Sequence, residues 1–188
     1  RAGPVGPRGP SSPWCMLKGA GMQSGYTRNK SGVLDINAMR QRIPSRSDGE
    51  PSLMCEMGVA AAREALQRAG RTTANVDAVI VACSNLQRPY PAIAVEIQNV
   101  LGIRGWAYDM NVACASAAFG IQAAVDAIRR GSARGVLVVS PEICTGRLNF
   151  GHRNGHCIFG DAATAGRVDA ATYGEGGEGG EGRGGEWG

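Results

Sequence analysis

No run of this sequence approaches the roughly 18 consecutive apolar residues of a membrane helix. The most apolar stretch, Val112 to Val125, is interrupted by Ser116, Gly120 and Gln122, so no membrane partner is expected. No stripe of Lys and Arg interleaved with aromatics marks a nucleic-acid surface. The six cysteines, at 15, 55, 83, 114, 144 and 157, form no Cys-x-x-Cys pair and no regular framework, and no secretory signal precedes them. Reduced thiols in a cytoplasm fit that pattern better than a disulfide scaffold. A zinc set can be drawn only from Cys144, His152, His156 and Cys157. Metal sites bring ligands in pairs at short fixed spacing and Cys144 stands alone, so no metal is expected. A formal Gly-x-Gly-x-x-Gly match from Gly174 to Gly179 follows no strand, opens no helix and sits in an acidic repeat that would repel phosphate.

What is present is an alternation of strand and helix signals between two biased ends. Residues 1–25 include three collagen-like triplets from Gly3 to Ser11, far too few for a triple helix, and read as a low-complexity leader. Residues 166–188 run into a Glu-Gly-Gly repeat that cannot bury apolar area and read as a disordered tail. Between them, Pro51, Ser52 and Glu56 supply helix-start chemistry. Leu53, Met57, Ala60, Ala61, Ala65 and Leu66 then mark one helix face, which Gly70 ends. Val76 to Ala82 is a nearly unbroken apolar run, as in a strand buried on both faces of a parallel sheet. A loop from Ser84 to Pro91 precedes a helix over Ile93 to Leu101, stopped at Gly102. Gly135 to Ser140 repeats the buried-strand pattern, and Cys157-Ile158-Phe159 should begin another strand. The alternation predicts an α/β fold, a βαβαβ unit with a mainly parallel sheet and right-handed crossovers.

The centre of the chain is Trp106 to Arg130. Trp106 to Met110 is compact and apolar enough for a strand, and from Ala115 a helix pattern takes over through Ala118, Ile121, Gln122, Val125 and Ile128. Arg129 and Arg130 suit the negative end of that helix, and Gly131 supplies a left-handed stop. Cys114 falls where the helix begins. A thiol there meets unpaired backbone N–H groups and the positive end of the dipole, which favour the thiolate. The same N–H groups suit an oxyanion on a thioester carbonyl. The competing reading is a buried structural cysteine, since free cysteine is among the most buried residue types. Position and chemistry alone leave that reading slightly ahead.

Asn111-Val112-Ala113-Cys114-Ala115-Ser116-Ala117-Ala118-Phe119-Gly120 resembles the nucleophile segment of the β-ketoacyl-acyl-carrier-protein synthase III family, in the thiolase superfamily. Ile158-Phe159-Gly160-Asp161-Ala162-Ala163 is similar to that family's next diagnostic segment, at the expected distance downstream. The resemblance runs from about Tyr26 to Ala165 and corresponds to the N-terminal half of a family member. It implies a thiolase-like three-layer half-domain at 26–165, bounded by a non-family leader and tail. The abrupt departure at both ends is what a shortened or frame-shifted reading frame would produce.

The resemblance also implies a reaction and its residues. Cys114 would take an acyl group from acyl-coenzyme A, which is substrate rather than cofactor. Malonyl-acyl carrier protein would then lose carbon dioxide, and the carbanion would attack the acyl-cysteine in the first condensation of fatty-acid synthesis. Arg153 aligns with an arginine that contacts coenzyme A, and Tyr90 with an aromatic that lines the acyl tunnel of the partner subunit in a homodimer. Residues 1–50 carry eight Lys or Arg against three Asp or Glu, which would suit coenzyme phosphates or an acidic carrier protein, although a solvated face is the commoner cause. The family's His and Asn from the second half match no position here. The alternative is therefore a chain that only binds acyl-coenzyme A or pairs with an intact homologue. A third reading, an unrelated thiol-dependent thioesterase or redox sensor, would want a resolving cysteine near Cys114, and the spacing shows none. The Arg88-Pro89-Tyr90-Pro91 loop and Asn29-Lys30-Ser31-Gly32 look closest to longer family members associated with medium-chain acyl primers, and the sequence leaves primer length open.

Overall fold

The computed structural model describes residues 26–29, 31–33, 35, 37–47, 49–150 and 159–170. The leader at 1–25, the repeat beyond 170, Cys15, His152, Arg153, His156, Cys157 and Ile158 lie outside them.

The Ser52 hydroxyl opens helix α1 (Leu53–Arg68) by accepting the Cys55 N–H at 3.0 Å, an N-cap contact that satisfies one of the helix's orphan donors. Strand β1 (Ala78–Ala82) is buried along its whole length. Helix α2 (Ile93–Leu101) ends at Gly102, whose φ of 65° is the left-handed stop its sequence predicts. Strand β2 (Trp106–Met110) leads through a 3-10 turn (Ala113–Ala115) into helix α3 (Ser116–Arg129). Strand β3 (Gly135–Ile143), a second 3-10 turn (Thr145–Arg147) and strand β4 (Asp161–Asp169) complete the described elements.

The strands lie in the order β2-β1-β3-β4, with β1 parallel to both β2 and β3 and with β4 antiparallel to β3. Strand alternation divides the core between two faces. Val79, Val81, Leu137 and Val139 point to the side covered by α1 and α2, where Met54, Ile93 and Ile97 are fully buried. Ala78, Ile80, Ala82, Val136 and Val138 point to the other side, under α3, with Ala124. The result is a mainly parallel sheet with helices on both faces, as the alternation predicts. From β1 to β2 the chain moves one way across the sheet by α2; from β2 to β3 it moves back by α3 on the opposite face. The change of direction and of face together keep both crossovers the same hand.

Three boundaries differ from the sequence reading. β1 starts at Ala78 rather than Val76, because the Val76 N–H closes a 3-10 turn on the Thr73 carbonyl at 3.1 Å. Of the strand start read at Cys157-Ile158-Phe159, the first two residues lie outside the described ones, and Phe159 precedes the strand, which is described from Asp161. The tail set to begin at residue 166 is corrected, since β4 runs on through Asp169. The composition of Gly166 to Asp169 signals coil, but the free edge of β3 offers it a full antiparallel ladder, from Ile143↔Asp161 to Gly135↔Asp169. Val168 joins the apolar cluster under α3, and the Arg167 guanidinium donates to the Asn75 carbonyl at 2.9 Å.

No helix among the described residues is long and apolar enough to cross a membrane. The two helical layers are unequally covered. α3 buries Ser116, Gly120 and Ala124 against the sheet, whereas Phe119 and Ile121 on its outer flank are 53% and 52% exposed.

Gly120 sets how closely α3, and with it the Cys114 turn, approaches the sheet. A Cβ there would lie 2.9 Å from the Ala82 Cβ and 3.0 Å from the Val138 Cγ1. Valine has a helix propensity only a few tenths of a kcal/mol better than glycine, while forcing methyl groups into a filled contact costs about 1–3 kcal/mol. The clash wins, so Gly120→Val should lower the urea unfolding midpoint. An unchanged midpoint would show that α3 is free to ride outward.

Candidate active site

In an open α/β sheet, ligands bind beyond the carboxyl ends of the strands, and the candidate site lies on the loops that leave β1 and β2 at that edge. The loop after β1 begins at Cys83, whose N–H donates to the Met110 carbonyl at 3.2 Å. The loop after β2 is Asn111-Val112, followed by the turn containing Cys114.

That turn is tied by side chains on both sides of the cysteine. The Ser116 hydroxyl accepts the Val112 N–H at 2.8 Å and donates to the Ala113 carbonyl at 2.7 Å. The Ala113 N–H donates to Asn111 Oδ1 at 3.0 Å, and Asn111 Nδ2 donates to the Ser84 carbonyl at 3.1 Å. Ser84 is held in turn by the Glu142 carboxylate, which accepts its N–H and, at 2.7 Å, its hydroxyl, along with Asn85 Nδ2 at 3.1 Å. Ala113 sits at φ 48°, in the left-handed region, which is disfavoured by about 1–2 kcal/mol for a residue with a Cβ. The site is therefore a strained turn between two anchored loops.

Cys114 is exposed, while Cys55 and Cys83 are 0% and 1% exposed. The buried-structural reading thus applies to those two cysteines and not to Cys114. Burial pushes the Cys83 thiol up to about 12, with the negative Glu142 and Asp109 adding to it. Burial likewise drives Cys55 to about 12, aided by Glu96 and Glu56. Burial and the neighbouring Glu142 and Asp161 carboxylates also raise Cys144, half-buried between β3 and the following turn. Such thiols stay protonated and unreactive. Helix α3 begins one residue later than its pattern suggests, so Cys114 occupies the middle of the 3-10 turn, and the cap residue Ala115 offers the first-turn N–H groups no side-chain acceptor.

Tyr90 stands 85% exposed in the loop before α2, and no described hydrogen bond joins it to Cys114. Its loop is nevertheless fixed. Ala92 caps α2 without a side-chain bond, and the Asp109 carboxylate on β2 takes over, accepting the Ile93 and Ala94 N–H groups at 2.9 and 2.7 Å. Burial raises Asp109 above the usual carboxylate range against the lowering pull of those N–H groups. Arg88 pairs with Glu96 at 3.5 Å and donates to the Glu50 carbonyl at 3.2 Å. Arg153 lies outside the described residues. Among the described residues no group of His, Cys, Asp or Glu is arranged to hold a metal.

The second motif does a different job. Asp161 opens β4, is 6% exposed, and accepts the Arg28 N–H at 2.8 Å, the Thr145 N–H at 2.9 Å and the Thr145 hydroxyl at 2.6 Å. It clamps the entering chain and the turn after β3 to the sheet. Sequence reasoning missed Asn111, Ser84 and Glu142. The available signal was the habit of Asn and Ser of bonding nearby backbone at strand ends, whereas Glu142 acts on residues nearly sixty positions away.

Residues 108–179 match the 3-oxoacyl-[acyl-carrier-protein (ACP)] synthase III family. The β-ketodecanoyl-[acyl-carrier-protein] synthase of Pseudomonas aeruginosa is 62% identical over 154 residues, taking in 82% of this chain and 44% of that protein. A β-ketoacyl-[acyl-carrier-protein] synthase III of Agrobacterium fabrum is 37% identical over 153 residues, or 81% of this chain and 46% of that one. The crystal structure of a 3-oxoacyl-[acyl-carrier-protein] synthase III from Aquifex aeolicus superposes with a TM-score of 0.61 at 28% identity, covering 71% of this chain and 44% of that chain. The chain spans less than half the length of each of these relatives.

The exposure of the thiols predicts their order of reaction. Iodoacetamide at about pH 9.5, a unit above the ordinary thiol value, should label Cys114 ahead of Cys144 and leave Cys55 and Cys83 untouched until the chain is unfolded. Peptide mapping by mass spectrometry reads this directly. Early labelling of Cys83 would contradict the burial described here.

Proposed function

This segment belongs to the β-ketoacyl-acyl-carrier-protein synthase III family of the thiolase superfamily, and we propose that Cys114 is the residue on which it carries an acyl group. The single observation behind this reading is the exposed thiol on a side-chain-braced turn, ahead of a helix whose first N–H groups have no side-chain cap. The thiolate attacks the carbonyl of acyl-coenzyme A, and the Cys114 N–H helps hold the oxyanion. The carbon–sulfur bond to coenzyme A then breaks, leaving the acyl group on Cys114 and coenzyme A as the departing thiolate, which takes a proton from water. Malonyl-acyl carrier protein is the second substrate. Loss of carbon dioxide leaves a carbanion, which attacks the acyl-cysteine, expels the thiolate and gives a 3-oxoacyl-acyl carrier protein. Decarboxylation supplies the electron pair, so the reading needs no cofactor.

The relative at 62% identity is named for a β-ketodecanoyl product. A ten-carbon product requires an eight-carbon primer extended by the two carbons of malonate, which supports octanoyl-coenzyme A as the acyl donor here. We assign residues 26–169 to the acyl-accepting domain, place Arg153 on coenzyme A, and give the exposed Tyr90 to the acyl tunnel of a second subunit. A homodimer is supported by β2, which has β1 as its only described neighbour and so presents an unpaired edge. The reduced-thiol cysteine pattern supports a cytoplasmic setting.

Intact-protein mass after mixing with octanoyl- and acetyl-coenzyme A, beside Cys114→Ala, tests the reading. The expected result is a single acyl adduct, faster with octanoyl, that the alanine variant lacks. A chain that keeps Cys55 and Cys83 protected yet takes no acyl group from either thioester would overturn it.

A further inference from the structure

Ala113 and Met39 are the only non-glycine residues among those described with positive φ. Met39 lies in a polar loop far along the chain; Ala113 immediately precedes the reactive thiol. The backbone dihedrals of Ala113 decide where Cys114 begins and hence where its Sγ points relative to the first turn of α3. Such a conformation persists only when surrounding contacts over-determine it. Ser116 supplies one restraint from inside the helix, and the side chain of Asn111 supplies the other from outside.

Asn111 is suited to that place by its chemistry. Its amide carries an acceptor and a donor at a fixed separation. The oxygen takes the Ala113 N–H at 3.0 Å, and the nitrogen gives to the Ser84 carbonyl at 3.1 Å. One planar group thus joins the loops that follow two adjacent parallel strands. The Ser84 end does not float, because the Glu142 carboxylate at the end of β3 holds the Ser84 N–H and hydroxyl together with the Asn85 amide. All three parallel strands therefore contribute to the turn. Aspartate at 111 could accept from Ala113 but would meet the Ser84 carbonyl without a proton. Alanine would do neither.

We propose that Asn111 is a positioning residue which, anchored through Ser84 to Glu142, holds the left-handed Ala113 backbone and so aims the Cys114 thiol at a carbonyl lodged against the first turn of α3. This rests on the reading of Cys114 as the acyl acceptor.

The test compares two reactions at Cys114: octanoyl transfer from octanoyl-coenzyme A, which demands aim, and alkylation by iodoacetamide, which demands only an accessible thiolate. Asn111→Ala removes two exposed hydrogen bonds, to the Ala113 N–H and the Ser84 carbonyl, and competition from water holds their combined loss to roughly two- to tenfold in rate. Asn111→Ala should slow octanoyl transfer by that much while changing alkylation far less, with Cys55 and Cys83 still protected. Adding Ala113→Gly, which reaches positive φ without a Cβ penalty, should restore part of the lost transfer. Should Asn111→Ala expose Cys55 and Cys83, and so have unfolded, Asn111→Asp is the variant to read, with the same split expected. Transfer as fast as in the unaltered chain, or an equal loss in both reactions, overturns the positioning role while leaving Cys114 as acceptor. An unaltered chain that takes no octanoyl group overturns the acceptor reading first, and this one with it.

Discussion

The bond between the Asn111 amide and the Ser84 carbonyl fastens the loop after β2 to the loop after β1, at the carboxyl edge of the parallel strands. Much of what makes Cys114 usable depends on that constraint. A parallel sheet brings the carboxyl ends of its strands to one edge as a consequence of its crossovers, but it does not fix the loops that leave them. Those loops carry unpaired backbone groups that must be satisfied locally. Here they satisfy one another, through Asn111, Ser84 and Glu142, and among the described cysteines Cys114 is the exposed one. Three further cysteines in the described part of the chain are kept harmless by burial and by nearby carboxylates, so selectivity among thiols comes from position before any special activation of Cys114 is invoked.

The two motifs that single out this chain divide the labour between chemistry and framework. The segment around Cys114 makes the turn. Asp161, in the second segment, makes a buried clamp with Thr145 and the backbone of Arg28, and pins the start of β4 beside β3. Removing an acceptor from three donors in a buried place costs more than the bonds themselves are worth, because the donors are left dry and unpaired. A Gly-Asp pair can therefore mark a family's fold while its carboxylate serves the framework.

The periodic elements were legible in the sequence because their cause is local. The unbroken apolar run ending at Ala82, the Ser52 cap and the Gly102 and Gly131 stops each follow from residues within a turn of where they act. Cys114 was placed at the right junction for the same reason. What escaped was set by partners distant in the chain. β4 extends through a glycine-containing stretch because β3 has an edge to fill, and Glu142 matters because it meets Ser84 and Asn85, 58 and 57 positions away. The one-residue delay of α3 is a local effect too, but it depends on Ser116 folding its hydroxyl back over the turn rather than standing in the helix as a small neighbour.

The same geometry separates the two halves of the proposed reaction. Exchange of one thioester for another is close to neutral in free energy and needs only a placed thiol and donors for one oxyanion. Decarboxylation is a different demand, since it leaves a carbanion whose charge must be met by further donors. Around Cys114 the side chains of Asn111 and Ser116 are uncharged and already bonded to backbone, and those of Ser84 and Asn85 are held by the Glu142 carboxylate. With α3 carrying Phe119 and Ile121 into solvent, the local dielectric is also high, and fixed dipoles act weakly there compared with a dry site. In the proposed reaction, acyl transfer thus calls on one oxyanion site beside Cys114, whereas condensation calls on further donors that would exclude water and stabilise the enolate.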